Sequence, residues 1–307
     1  GHVMKCPHCD VSLTAHNNGK LVCHYCGYTA PVPVKCPSCK VTDVVPRGFG
    51  TEKVEEEIAR LFPAARVARL DRDSVTSERA FNAIIADFEA RKTDILVGTQ
   101  MITKGFDFGG VSLVGILNAD NLLNNPDFRA AERAFQLMMQ VAGRAGRGED
   151  PGRVIIQTYL PDEPVIRAVK THDRSVFTEH DLGMRREALY PPYVRLANVL
   201  VWGKDERAAR GLVMRIAEEL RVEFGLDAAP MLHPVVETGS AGVEFSSREL
   251  LGRPQVLGPT PCVIERAKDR YRFHIIVKAP LGCDLSGALN AAVSRAGTCP
   301  GVSIAVG

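Results

Sequence analysis

Hydrophobic residues follow two alternating periods along residues 51–159, one typical of helices and one typical of buried strands. Residues 51–62 place apolar side chains at helical spacing, and Thr51 is the expected N-cap of that helix. The same periods predict helices at 77–90 and about 130–144, and strands at 65–71, 94–100, 111–120 and 153–159. Because helices alternate with β-branched runs, we predict an α/β fold with a parallel, doubly wound sheet.

A different order of elements follows Pro191-Pro192, which we take as a boundary after two predicted helices at 162–170 and 173–188. The predicted order is strand, helix, strand, strand, helix, strand, at 194–202, 205–224, 255–265, 271–279, 284–296 and 302–307. This is the order of the split βαβ, ferredoxin-like arrangement.

Composition narrows the function classes only slightly. The 307 residues are enough for two or three domains, and 45% apolar with 24% charged residues is typical of a globular chain. A formal charge of +2 neither indicates nor excludes a nucleic-acid partner. Because no apolar run approaches about 18 residues and no secretory pattern is present, we expect a cytoplasmic protein with no membrane partner.

Six of the nine cysteines fall within the first 39 residues, as three CxxC pairs. Paired CxxC turns in a chain without an export signal favour a metal over disulfides. Thirteen residues separate the first two pairs and nine separate the last two, so either gap is compatible with a zinc ribbon. We expect structural zinc bound among these pairs: Cys6, Cys9, Cys23, Cys26, Cys36 and Cys39.

The stretch QLMMQVAGRAGRGED, 136–150, indicates a candidate phosphate-facing helix. At about 100° per residue, one arc of this helix collects donors, and apolar side chains fall broadly opposite. Two arginines at the end of a rigid helix suit the stabilisation of charge on a transferring phosphoryl group. The alternative is a solvated polar face. The donors are Arg133, Gln136, Gln140, Arg144 and Arg147.

A second candidate is GTQMITKGFDF, 98–108, at the carboxyl end of a predicted parallel strand, where open α/β sheets bind their ligands. Thr99 and Gln100 end the strand, and Lys104-Gly105 follows in a loop whose amides and ammonium suit a phosphate.

Together these two segments resemble motifs V and VI of superfamily 2 helicases. The three CxxC pairs with GTEKVEEEIARLFP, RLDRDS, VGTQMITKGFDF, NADNLLNNPDFRAAERAFQLMMQVAGRAGR and VLGPTP closely resemble the PriA family of bacterial replication-restart helicases. The resemblance runs from Cys6 to the last strand and is strongest over 47–158.

The resemblance implies the domain organisation. A zinc-binding CxxC region at 5–46 is followed by the second RecA-like helicase lobe at 47–189 and a small C-terminal domain at 190–307. Residues 1–4 are expected to be additions to the natural chain.

The resemblance also implies residue roles. Arg144 and Arg147 face a nucleotide bound on the first lobe, with Arg147 as the arginine finger, and Gln140 couples nucleotide to DNA. Thr99, Gln100 and Lys104 lie along the cleft and the DNA track, and Gly105 gives access to the backbone. Asp71 ends its strand, with the least defined role.

The family pattern has four cysteine pairs and two interleaved zinc ions, whereas this sequence has three pairs. The first two pairs complete one site, so Cys36 and Cys39 are half of a second.

No GxxxxGK[ST] phosphate loop occurs in the sequence, because both GK dipeptides are followed by the wrong residue. We therefore expect ATP and Mg²⁺ to bind only with a first lobe that is missing here, and the chain alone to hydrolyse no ATP.

The resemblance implies an ATP-dependent 3′→5′ helicase at the bacterial nucleoid. Its implied partners are forked or single-stranded DNA, single-strand binding protein, other primosome proteins and the replicative helicase loader. Two alternatives stay open: a non-enzymatic zinc-ribbon adaptor for nucleic acid or protein, and a different helicase sharing the arginines.

Overall fold

The computed structural model describes residues 2–16, 19–40, 50–71, 74–75, 77–99, 102, 110–143, 152–226 and 252–307. The chain divides into two compact units, Pro46–Gly183 and Gly1–Val45 together with Met184–Gly307. The domain limits predicted from sequence stay predictions.

The cysteine-rich region is a small antiparallel sheet of β1 Thr14–Ala15, β2 Lys20–Val22 and β3 Thr29–Pro31. Its only buried side chains among the described residues are Leu21 and the cysteines Cys6, Cys9 and Cys23. Such a region has too little apolar core to be stable alone.

Parallel strands joined through helices build the unit Pro46–Gly183. Its elements are α1 Thr51–Leu61, β4 Val67–Leu70, α2 Glu78–Glu89, β5 Ile95–Gly98, β6 Leu113–Ile116, α3 Asp120–Leu123, α4 Ala130–Ala142, β7 Arg153–Ile156, α5 Pro164–Thr171 and most of α6 Arg174–Glu187, whose last turn belongs to the other unit. Two parallel pairs, β4 with β5 and β6 with β7, confirm the predicted parallel α/β lobe.

The expected N-cap of α1 is wrong. Gly50 is the N-cap and offers no side chain, and Thr51 is already helical. The Thr51 hydroxyl instead donates to the carboxylate of Asp71 at the end of β4. A hydrogen bond to a charged carboxylate is stronger than one between neutral groups, so the contact with Asp71 favours Thr51 as the first helical residue.

Helix α4 buries one stripe, because Ala134, Met138 and Ala142 recur at a spacing of four residues. Phe135 extends that stripe and stacks on Phe177 of α6, with ring centroids 4.8 Å apart. The cluster is completed by Ala119, Val165, Ile166, Ala168 and Val169.

The C-terminal elements form the ferredoxin-like arrangement predicted from their order. They are β8 Arg195–Gly203, α7 Glu206–Glu223, β9 Gln255–Ala267, β10 Arg270–Ala279, α8 Leu285–Ala296 and β11 Val302–Val306. All neighbours in the sheet are antiparallel, and the strand order is β11-β8-β10-β9.

Alternation along β8 explains how this domain forms its core. Val199 and Val201 are fully buried, whereas Asn198 beside them is exposed. Both helices pack on the buried face and begin at aspartate N-caps, Asp205 and Asp284, whose carboxylates accept backbone N–H bonds.

Candidate metal centre and candidate nucleotide-facing site

Four cysteines of the first two CxxC pairs converge on one point. The ligand atoms of Cys6, Cys9, Cys23 and Cys26 all lie within 4.8 Å of one another. The Sγ atoms of Cys6 and Cys26 are 3.6 Å apart. Sulfur atoms about 2.3 Å from a tetrahedral zinc ion are about 3.8 Å apart, so this donor set fits a structural zinc ion.

The two CxxC turns hold the thiols by backbone contacts. The N–H of His8 donates to Cys6 Sγ at 3.4 Å. In the second turn, the N–H of Gly27 donates to the carbonyl of Cys23 at 2.8 Å, and Gly27 has φ of 81°. Glycine adopts that left-handed conformation without steric cost, so the chain can reverse after Cys26.

Burial makes thiolates in the cluster unfavourable unless a cation compensates their charge. Burial raises the pKa of Cys6 to about 12 and also raises the pKa of Cys9. Burial acts in the same sense on Cys23, but backbone N–H groups of Cys26 and Tyr25 outweigh it and lower its pKa to about 7. A zinc ion supplies the positive charge that allows thiolates to gather in so small a space.

The C-terminal domain also contacts the cysteine cluster. The sequence patterns did not predict this contact. The backbone N–H of Lys268, in the turn between β9 and β10, donates to Cys9 Sγ at 3.2 Å. No local pattern in the sequence signals this contact, because the partners are 259 positions apart in the chain.

The third pair lies outside this cluster. Within the described residues, the only group of ligands close enough to hold one metal ion is the first four cysteines. Cys36 is half-buried and Cys39 exposed. Backbone N–H groups of Cys39 and Ser38 hold the pKa of the Cys36 thiol below its ordinary value. The second zinc site is therefore only partial.

The structure brings two candidate residues of the unit Pro46–Gly183 to one edge of a sheet. Leu70 of β4 pairs with Gly98 of β5, so the next residues, Asp71 and Thr99, both follow the carboxyl ends of neighbouring parallel strands. Thr99 is exposed. This is the edge at which open α/β sheets bind ligands.

The carboxylate of Asp71 forms several contacts within its own unit. Its carboxylate accepts a hydrogen bond from Thr51 Oγ1 and one from the N–H of Ser74 at 2.7 Å, and lies 3.2 Å from the Nε of Arg69. Burial raises the pKa of Asp71, but these partners outweigh it and hold the pKa below its usual value. A coupling role for Asp71 stays a prediction.

Gln140 lies exposed on α4, in the last turn before the helix ends at Ala142. Two of the predicted donors have partners near α4: Arg133 pairs with Asp127 at 2.7 Å, and Gln136 donates to Glu132 at 3.3 Å. The other residues with implied nucleotide or DNA roles fall outside the described residues, and those roles stay predictions. They are Gln100, Lys104, Gly105, Arg144 and Arg147.

A second buried carboxylate, Asp120, was not selected from the sequence. It accepts from Thr158 Oγ1 at 2.9 Å and from the N–H of Tyr159 at 3.2 Å. These residues follow β6 and β7, whose ends are paired at Ile116 and Ile156. Asp120 therefore ties together the carboxyl ends of this second parallel pair.

No helix in the described part of the chain is both long and apolar enough to cross a membrane.

Three family models match the chain. The PriA DNA helicase Cys-rich region (CRR) domain matches residues 6–31, the helicase conserved C-terminal domain 42–149 and the Primosomal protein N C-terminal domain 186–306. The first covers all four clustered cysteines, and the last covers every strand of the ferredoxin-like sheet.

Curated relatives match nearly the whole chain. Replication restart protein PriA of Bacillus subtilis is 43% identical over 290 residues, which are 94% of this chain and 33% of the relative. The proteins of that name from Synechocystis and Treponema pallidum are 41% and 40% identical, over 91% of this chain and 31% and 39% of the relatives. The chain thus spans about a third of the length of the relatives it matches.

Proposed function

The chain belongs to the PriA family, and we propose that it is the C-terminal portion of an ATP-dependent 3′→5′ DNA helicase that restarts stalled replication forks. One observation carries this proposal: a four-cysteine cluster and matches to the helicase conserved C-terminal domain and the Primosomal protein N C-terminal domain occur in one chain.

The proposed catalytic contribution of this chain is made from the end of α4. Arg144 and Arg147 follow that helix and would face ATP and Mg²⁺ held by a separate phosphate-loop lobe. Their guanidinium groups would stabilise charge on the transferring phosphoryl group. Gln140 would couple nucleotide binding to DNA binding.

The proposed DNA track follows the β4–β5 edge, with Thr99 at its end and Gln100, Lys104 and Gly105 beyond it. Thr99 is exposed, which supports a contact with ligand. Asp71 at the same edge would act through the position of β4, because its carboxylate is held by Thr51 and Ser74.

The proposed substrates are forked and single-stranded DNA of the nucleoid. The proposed partners are single-strand binding protein, other primosome proteins and the replicative helicase loader. Zinc would act structurally, because the four-cysteine cluster forms most of the buried interior of its region. Structural zinc supplies about 10–16 kcal/mol to such regions.

This function is tested by ATP hydrolysis with and without forked DNA. The assay uses a longer protein, which contains this chain together with the proposed phosphate-loop lobe. We expect DNA to stimulate hydrolysis and Arg147→Ala to reduce the stimulated rate by about 10³-fold, the lower end for an arginine finger. Arg79→Ala is a matched control, because Arg79 is an exposed arginine of α2 in the same unit.

Two outcomes would contradict the proposal. If the Arg147→Ala variant hydrolysed ATP as fast as the control, Arg147 would have no role in hydrolysis. A longer protein that binds zinc and DNA but hydrolyses no ATP would favour the non-enzymatic adaptor.

A further inference from the structure

The turn between β9 and β10 is docked on the first CxxC turn. Besides the bond from Lys268 to Cys9 Sγ, the N–H of Asp269 donates to the carbonyl of His8 at 3.0 Å. In return, the N–H of Asp10 donates to the carbonyl of Arg266 at 2.8 Å. Three hydrogen bonds from backbone N–H groups thus join the hairpin to the loop that carries two zinc ligands.

Side chains reinforce this contact. Nη2 of Arg266 donates to the carbonyl of Pro7 at 2.9 Å, and Asp269 pairs with His8 Nδ1 at 2.8 Å. Ala267 packs against the cysteine cluster. The hairpin is therefore not the free, solvated turn that its charged sequence would allow.

The conformation of the turn also points to a specific role. Ala267 pairs with Arg270, so Lys268 and Asp269 are the two turn residues, with φ of 54° and 57°. Two positive φ values define a type I′ turn, in which Asn-Gly is the favoured sequence. Lysine rarely adopts this conformation. In this conformation both turn amides donate to the CxxC loop, the N–H of Lys268 to Cys9 Sγ and the N–H of Asp269 to the carbonyl of His8.

An N–H donor to a zinc-bound sulfur orients the ligand and spreads its negative charge. Cys6 receives such a donor from its own loop, the N–H of His8 at 3.4 Å. Cys9 receives one from the C-terminal domain. The cysteine-rich loop thus supplies the ligands, and a distant element supplies part of their support.

We propose that the Lys268-Asp269 turn is an outer-sphere component of the zinc site. Zinc affinity and the docking of the cysteine-rich region on the C-terminal domain are then coupled, and the coupling is reciprocal. The inference goes beyond the helicase function and rests only on zinc bound by the four-cysteine cluster.

Competition for zinc with a chromophoric chelator, in the 307-residue chain, tests the first direction. Replacing the two turn residues with the four-residue loop Gly-Ser-Gly-Ser displaces both turn amides, and we expect zinc affinity to fall about tenfold. Lys268→Asn combined with Asp269→Gly keeps a type I′ turn and both amides, so it should bind zinc nearly as wild type. Arg270→Ala is the matched control, because Arg270 is an exposed neighbour in the hairpin.

Amide hydrogen exchange tests the reverse direction. Zinc removal should speed exchange in a peptide covering 262–272 and leave helix α8 unchanged, which also verifies that the C-terminal domain stays folded. Wild-type zinc affinity in the lengthened-turn variant, or unchanged exchange at 262–272, would overturn the proposal. A wild-type chain that binds no zinc would overturn its premise.

Discussion

Asp71 shows how a single side chain holds the carboxyl end of β4 in the unit Pro46–Gly183. The family resemblance implies a coupling role for Asp71 that is the least defined of the implied roles. The structure gives a buried carboxylate, 4% exposed, bonded to Thr51 and Ser74. The same contact explains why Thr51 is not the N-cap of α1. Local capping rules cannot identify an acceptor 20 residues away.

Asp71→Asn should lower the free energy of unfolding of the unit Pro46–Gly183 by about 1.5–3 kcal/mol, the range for hydrogen bonds to a charged group. Urea dependence of hydrogen exchange in peptides of this unit measures the change separately from the other unit. Asp87→Asn is the control, because Asp87 forms an exposed pair with Lys92 at 3.2 Å and should change stability by about 0.5 kcal/mol or less. Equal changes in the free energy of unfolding for the two substitutions would contradict a structural role of Asp71.

The pKa of Asp71 gives a pH dependence with a definite sign. Its folded-state pKa lies below the unfolded value of about 3.9. The stabilisation is therefore fully present above that pH and is lost as the pH falls through the folded-state pKa. Between about pH 5 and pH 3, the wild-type unit should lose more stability than Asp71→Asn. Parallel stability curves for the two proteins would contradict this cause of the lowered pKa.

At the scale of elements, helix α4 packs in the core of the unit Pro46–Gly183, and the candidate arginines follow it in the sequence. The stripe from Ala134 to Ala142 was predictable because helical periodicity is a local property of the sequence. The order of elements in the C-terminal domain was predictable for the same reason, and it restricts the sheet topology to few possibilities.

Long-range contacts were not predictable from the same patterns. Lys-Asp lacks the Asn-Gly signal of a type I′ turn, and its partners in the CxxC loop lie at the other end of the chain. The structural role of Asp120 was missed for a similar reason, because Thr158 is 38 residues away.

Phe135→Ala should destabilise the lobe by about 3–5 kcal/mol, because it removes a buried ring that stacks on Phe177 and leaves a cavity beside α4. Hydrogen exchange in peptides from α4 and α5 measures this loss. Phe62→Ala is the control, because Phe62 is 56% exposed and should cost about 1 kcal/mol or less. A small effect of Phe135→Ala would mean that α4 is not anchored through this cluster.

At the scale of the whole molecule, one unit is built on parallel strand pairs, and the other contains the four-cysteine cluster and the ferredoxin-like domain. The sequence supplies the candidate arginines of a motor but no phosphate loop. This division is the basis for proposing that nucleotide hydrolysis requires a further lobe.

Metal content follows from the arrangement of cysteines. Native mass spectrometry of the 307-residue chain should find one tightly bound zinc ion, because only the first two pairs form a cluster in the described residues. Cys23→Ser should abolish tight binding, because Cys23 is a fully buried ligand. Cys39→Ser, at an exposed cysteine outside the cluster, should leave the zinc content unchanged. Two zinc ions per chain, or zinc loss in Cys39→Ser, would contradict this assignment.

Unwinding of forked DNA by the longer protein tests the helicase proposal most directly. Strand separation is followed on two forks that differ only in whether the loading arm has a 3′ or a 5′ single-stranded end. We predict ATP-dependent separation of the fork with the 3′ arm and its loss in Arg147→Ala, while Arg79→Ala unwinds as wild type. A zinc-loaded longer protein that binds both forks and separates neither would contradict the proposal that this chain is part of a DNA helicase.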